Sequence, residues 1–164
     1  MSEVGDLVMP KWGYSIPDTE SEFIAKASGR EVKVSPKAAR EVCQAIKGMN
    51  LGEAKEFLQQ VINLKKPVPF RRHNKKVPHR KGLQKYAAGR YPVKTSKKIM
   101  EILESAEANA LYKGLDIENL RIAHAVSYPG VKLKRYIQRA MGRSSPRFEI
   151  LCHIEVVLKQ KRDN

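Results

Sequence analysis

Between Pro129 and Phe148 the chain carries Lys132, Lys134, Arg135, Arg139, Arg143 and Arg147, with no acidic residue before Glu149. A second acid-free run, Lys65 to Lys94, holds Arg71, Arg72, Lys75, Lys76, Arg80, Lys81, Lys85 and Arg90. Cations at this density are suited to one task, the neutralisation of phosphates, because each phosphate contact releases a condensed counterion. The net charge of +15 over 164 residues exceeds what solubility requires. Its confinement to blocks, rather than scatter, points to a polyanionic partner. Phe70, Tyr86 and Tyr91 interleave with the second run and offer rings for stacking beside phosphate contacts, which favours RNA. The expectation for that run is ordering upon RNA; the plainer reading is a disordered linker.

Other chemistries lack their residues. The sequence has no P-loop, GxSxG or HExxH, and no glycine-rich turn from strand to helix. Glu101, Glu104 and Glu107 fall at helical spacing and read as a solvated face, not as an acid/base pair. Cys43 and Cys152 form no CxxC and read as buried structural thiols. His153 adjoins Cys152, but neighbouring strand residues face opposite ways, so the two do not converge on a metal. The expectation is a binding protein with no catalytic residue, cofactor, metal or small-molecule substrate. No run approaches ~18 apolar residues, and MSEVGDLVMPKWGY has neither a basic nor an apolar leader region. A cytoplasmic protein that does not engage membranes is therefore expected.

The elements that must position the charges follow from periodicity. Leu120, Ile122, His124, Val126 and Tyr128 alternate, as do Ile150, Cys152, Ile154, Val156 and Leu158; together they predict a β-hairpin over about 120–158. A turn near Gly142 would stand about 40 Å beyond the last core-like pair. An earlier strand lies within Glu22–Val34, broken at Ser28-Gly29, and should pair with the hairpin base. Ser35 as N-cap and Pro36 in the first turn open a helix whose apolar face is Ala39, Val42, Cys43 and Ile46, with Glu41 on the solvated side, ending at Gly48. Asn50 and Glu53 suggest a capping box for a second helix with the stripe Leu51, Ala54, Phe57, Leu58, Val61 and Ile62, stopped by Pro67 and Pro69. A third helix is expected from Thr95 or Ser96 to Gly114, with Ile99, Ile102, Leu103, Ala106 and Ala110 inward. The organisation is then an irregular tail (1–21, with Trp12 and Tyr14 able to stack or pack) and one α+β domain (22–164) with a basic insertion at 66–94.

These residues carry a resemblance. SPKAAREVCQAIKGM, LESAEANALYKGLD and LKRYIQRAMGRSSP, in this order around a basic insertion, resemble the L twenty-two family of large-subunit ribosomal proteins (L seventeen in eukaryotic naming) over about residues 14–158. The insertion PVPFRRHNKKVPHRKG resembles the archaeal and eukaryotic branch. Gln138 stands where the family usually has proline, which bears on the local bend alone. The resemblance implies three helices on a small three-stranded antiparallel sheet, with a long extended β-hairpin. It further implies binding to several domains of large-subunit rRNA, contact with neighbouring ribosomal proteins, and a hairpin tip lining the exit tunnel beside the nascent peptide. The assembly it implies is the ribosome, not a homo-oligomer. By that analogy Arg139, Met141, Gly142, Arg143 and Ser144 line the tunnel. Lys132, Lys134, Arg135 and Arg147 contact RNA behind them, and Arg71, Arg72, Lys75, Lys76, Arg80, Lys81 and Arg90 hold further RNA. A non-ribosomal nucleic-acid-binding protein or RNA chaperone is the alternative.

Overall fold

The computed structural model describes residues 13–16, 23–83 and 85–161. In chain order its elements are β1 (Ile24–Val32), α1 (Pro36–Ile46), α2 (Leu51–Ile62), β2 (Val68–Pro69), β3 (Gly89–Arg90), α3 (Val93–Tyr112), β4 (Leu120–Leu133), β5 (Tyr136–Gln138), β6 (Ser144–Pro146) and β7 (Glu149–Gln160). The result is α+β: three helices packed on a three-stranded antiparallel sheet of order β1-β7-β4. Most of the expected tail, Trp12 included, lies outside the described residues.

The sequence of β7 explains its central place. Cys152, Ile154, Val156 and Leu158 are buried against the helices, while Glu155 and Val157 are buried on the opposite face, since alternate strand residues face opposite ways. Glu155 is tolerated there because Ser15 satisfies it: the Ser15 N–H and hydroxyl donate to Oε2 at 3.1 and 2.8 Å. Arg30 Nη1 lies 3.8 Å from Oε1. The alternation expected for β4 fails past Ile122. Pairing steps from Ile122↔Leu158 to His124↔Val157, so β4 carries one extra residue, a β-bulge. Leu120 and Ile122 stay in the core; beyond the bulge Ala125 faces the helices, and His124 and Val126 move to the half-buried outer face.

Strand β1 pairs with β7, from Ile24↔Lys159 onward, and runs straight through Ser28-Gly29. Gly29 does not break the strand. It lets α3 approach, since a Cβ at that position would lie 2.6 Å from Ile102 Cδ1. The irregularity comes at Glu31, with φ of 49° and a register step before Val32. Its N–H donates to His153 Nδ1 at 3.1 Å.

The helices bury the stripes their periodicity predicts, Ile62 being only half-buried. Their N-terminal chemistry differs from expectation. Ser35 occupies the cap position of α1 and Asn50 that of α2, yet neither side chain bonds a helix N–H; Asn50 Nδ2 donates to Glu53 Oε1 at 3.4 Å instead. Helix α3 starts at Val93, ahead of Thr95 and Ser96, which are buried within its first turn. Its C-terminus behaves as expected. Gly114 at φ 70° donates to Leu111 O, and Leu115 N–H reaches back to Ala110 O at 3.0 Å, the bonding of a Schellman motif. Lys55 and Glu107 form an ion pair between α2 and α3. Cys43 and Cys152 are free and buried; burial pushes their thiols up to about 12 and about 11, so neither is a nucleophile near neutral pH.

Candidate nucleic-acid interface

The arm begins where the sheet loses its helices. Past Pro129 the β4–β7 ladder skips a register, resumes at Lys132↔Ile150 and Leu133↔Glu149, and is continued by β5 and β6, paired Tyr136↔Pro146 through Gln138↔Ser144. Gln138 thus sits in regular strand pairing. Arg139 N–H donates to Arg143 O at 2.8 Å and closes the loop. Met141 and Gly142, at φ 59° and 67°, have the two successive positive values that a type I′ hairpin turn needs. Residues 131–144 are all exposed, Met141 to 89%. Such a surface holds no core, and what rigidity it has comes from pairing and from one clip the sequence did not reveal. The rings of Tyr136 and Phe148 meet edge-on, 6.0 Å apart at 89°, between strands that diverge around Lys134-Arg135. Arg147 N–H donates to Arg135 O at 2.7 Å at the same level.

Charge along the arm is largely uncompensated. Arg135 lies 3.7 Å from Glu149, which Lys33 approaches at 3.5 Å from β1's end. Arg139 Nε donates to Ser145 Oγ at 3.2 Å. The side chains of Lys132, Lys134 and Arg147 make no ion pair or hydrogen bond among the described residues.

The insertion is a folded loop and not a linker. Pro67, Val68 and Phe70 are buried, β2 pairs with β3, and Phe70 N–H donates to Ala88 O and Arg80 N–H to Ala87 O at 2.9 and 2.8 Å. Phe70 is therefore a core residue, 5% exposed, rather than a free stacking ring. The other two rings are engaged as well. The guanidinium of Arg71 lies 5.2 Å from the Tyr86 centroid, Arg80 5.5 Å from Tyr91, and Arg90 5.9 Å from Phe70. Cation–π contacts of this kind fix the direction of each charge. Arg90 also donates to Lys76 O at 3.3 Å. Arg71, Arg72, Lys75, Lys76, Arg80, Lys81 and Arg90 are all exposed.

One acid anchors this loop. Glu41, expected on the solvated side of α1, is 1% exposed and accepts the N–H groups of Arg71 (2.9 Å) and Arg72 (3.2 Å), with Arg40 Nη1 at 3.0 Å. Burial alone would raise its pKa; the Arg71 and Arg72 N–H groups, the Arg40 charge and the His73 N–H outweigh that and hold it below 4.5. Two residues on from Ala39, Glu41 lies about 200° round the helix from it, roughly opposite the middle of the apolar stripe. The insertion returns to cover that face, which no periodicity in α1 could announce. The same helix meets the arm's root, where Ser127 Oγ in β4 donates to Pro36 O at 3.5 Å. Helix α1 thus holds both basic segments, the insertion at Glu41 and the arm's root at Pro36.

Residues 27–159 match the sequence family described as ribosomal protein L22p/L17e. The chain belongs to that family. It is accordingly a structural ribosomal protein and not an enzyme, of the archaeal and eukaryotic type the insertion resembled. It is 49% identical over 154 residues to the large ribosomal subunit protein uL22 of Methanocaldococcus jannaschii, covering 94% of this chain and 98% of the relative. The proteins of the same name from Methanopyrus kandleri and Archaeoglobus fulgidus are 49% and 46% identical, covering 93% and 91% of this chain and 100% and 96% of each relative. Among the described residues no helix is long and apolar enough to cross a membrane, and no His, Cys, Asp and Glu side chains cluster for a metal.

Proposed function

We propose that the protein is a constituent of the large ribosomal subunit in the cytoplasm, where it ties together several domains of large-subunit rRNA, supports their assembly, meets neighbouring ribosomal proteins and lines the peptide exit tunnel with its hairpin tip. The observation that carries this reading is the arm. An exposed, acid-poor hairpin reaching about 40 Å past the core has no use for a free globular protein, and its charge calls for phosphates on both sides. In this reading the α+β domain over 22–164 is the platform and the tail over 1–21 an appendage. Lys132, Lys134, Arg135 and Arg147 contact RNA along the arm, while Arg71, Arg72, Lys75, Lys76, Arg80, Lys81 and Arg90 engage a second RNA segment. Arg139, Met141, Gly142, Arg143 and Ser144 stand at the tunnel wall beside the nascent peptide. The action is architectural: cations placed in advance lower the cost of bringing rRNA segments together.

Sedimentation of a tagged chain in cell extract tests the assignment. Co-migration with the large subunit, retained after a high-salt wash, is expected. A tag found only in light fractions bound to assorted RNAs would support an RNA chaperone instead.

A further inference from the structure

The insertion and the two helix starts it covers enclose a cleft of about 770 Å³, within the size range of small-ligand sites. Its lining mixes two chemistries. The first turns of α1 and α3 contribute Lys37, Ala38, Lys94 and Thr95, and Val77, Tyr91 and Pro92 add apolar surface. Arg72, Lys75 and Arg90 border it, and no acidic residue lines it.

The helix starts are uncapped. The first N–H groups of a helix have no partner within it, and neither Ser35 nor Pro92 supplies a side-chain cap. The N–H groups of Lys37, Ala38, Lys94 and Thr95 find no other acceptor among the described residues. Thr95 adds an independent sign. Its side chain is 4% exposed and lines the cleft, and its hydroxyl bonds no group among the described residues. That hydroxyl is left to pair with a group inside the cleft. Positive helix ends, free N–H groups and flanking cations make that group an anion.

An inorganic anion would leave the Val77, Tyr91 and Pro92 wall empty. We propose that the cleft receives one unpaired nucleotide of an RNA strand. Its phosphate is held by the N–H groups of the two helix starts and the Thr95 hydroxyl, and its base lies on the Tyr91 and Pro92 wall. Unpaired bases are the parts of RNA that a protein pocket can take in. The proposal rests on the RNA-binding reading and deepens it, but a different measurement decides it.

Amide NMR of the full chain is titrated with adenosine 5′-monophosphate, adenosine, inorganic phosphate and the acidic peptide Asp-Glu-Asp. The monophosphate should shift the amides of Lys37, Ala38, Lys94 and Thr95 together, phosphate should shift them more weakly, and adenosine hardly at all. Thr95→Val should weaken the monophosphate about tenfold, the worth of one hydrogen bond to a charged group, and Thr95→Ser should restore it. Equal response to phosphate and monophosphate, a stronger response to the peptide, or shifts spread over every lysine-rich segment would each overturn the assignment. Should Thr95→Val lose its dispersed spectrum, the wild-type titration and Thr95→Ser still decide. Sedimentation with the large subunit is independent of this result, so either reading can fail alone.

Discussion

The arm and the insertion are alike in sequence and opposite in construction. Both lack acidic residues and both carry arginine and lysine at high density. The insertion returns to the domain, buries Val68 and Phe70, lays three guanidiniums over aromatic rings and has its backbone clamped by Glu41. The arm buries nothing beyond its root and is held by strand pairing, a tight turn and the Tyr136–Phe148 contact. The lesson concerns preorganisation. Charges in the insertion are aimed in advance, whereas charges in the arm keep more freedom and, in the RNA-binding reading proposed above, would be fixed by the RNA itself.

The largest effect expected from this comparison is on salt dependence. If both segments meet phosphates, about six or more counterions leave on binding, and affinity for large-subunit rRNA should fall by about 10³ between 50 and 200 mM salt. Filter binding across that range measures the slope. Neutralising Lys132, Lys134 and Arg147 together should reduce it, and an unchanged slope would remove the arm from the interface.

Next in size is the anchor. Glu41→Ala leaves the Arg71 and Arg72 N–H groups without their acceptor and should cost about 2–3 kcal/mol. The loss should appear as faster amide exchange at Phe70, Arg80 and Gly89, with Arg139 and Arg147 unaffected. Equal loss in both segments would mean that the insertion is not separately anchored.

The same carboxylate gives a pH signature. Its folded pKa lies below 4.5, so the unfolded state binds the proton first as pH falls. The stabilisation is whole above about 4.5 and disappears as pH drops through the lower folded value. Urea unfolding at pH 6 and pH 3 should show wild type losing more stability than Glu41→Gln. Parallel losses would point to other carboxylates.

Smaller still, Tyr136→Ala should cost the arm about 0.5–1.5 kcal/mol of aromatic contact. Amide exchange should quicken at Arg147 and Arg139 and stay constant in β1. The smallest effect belongs to the tip. Deleting residues 141–145 should change global stability by no more than about 0.5 kcal/mol and, if the tip lines the tunnel as proposed, alter the tunnel wall in assembled subunits. A drop of several kcal/mol would show that the tip contributes to the core.

The elements were legible wherever a local rule governs. Helix stripes, the Gly114 stop and the alternation of β7 follow from periodicities of 3.6 and 2, and the turn near Gly142 follows from glycine's tolerance of positive φ. The exposure of every basic residue assigned to RNA was equally legible, because an acid-free charged run cannot be buried. Tertiary structure decided whatever depends on what lies across from a residue. The bulge after Ile122 turned His124 and Val126 from the core face to the outer one, and a pairing register is set jointly by two strands. Gly29, a break by local rules, is a close approach because Ile102 of α3 lies above it. Glu41 and Phe70 were misjudged together, since each is buried by the other's segment across 29 residues of chain. Burial is a property of a pair of surfaces, and a sequence read along its length supplies only one of them at a time.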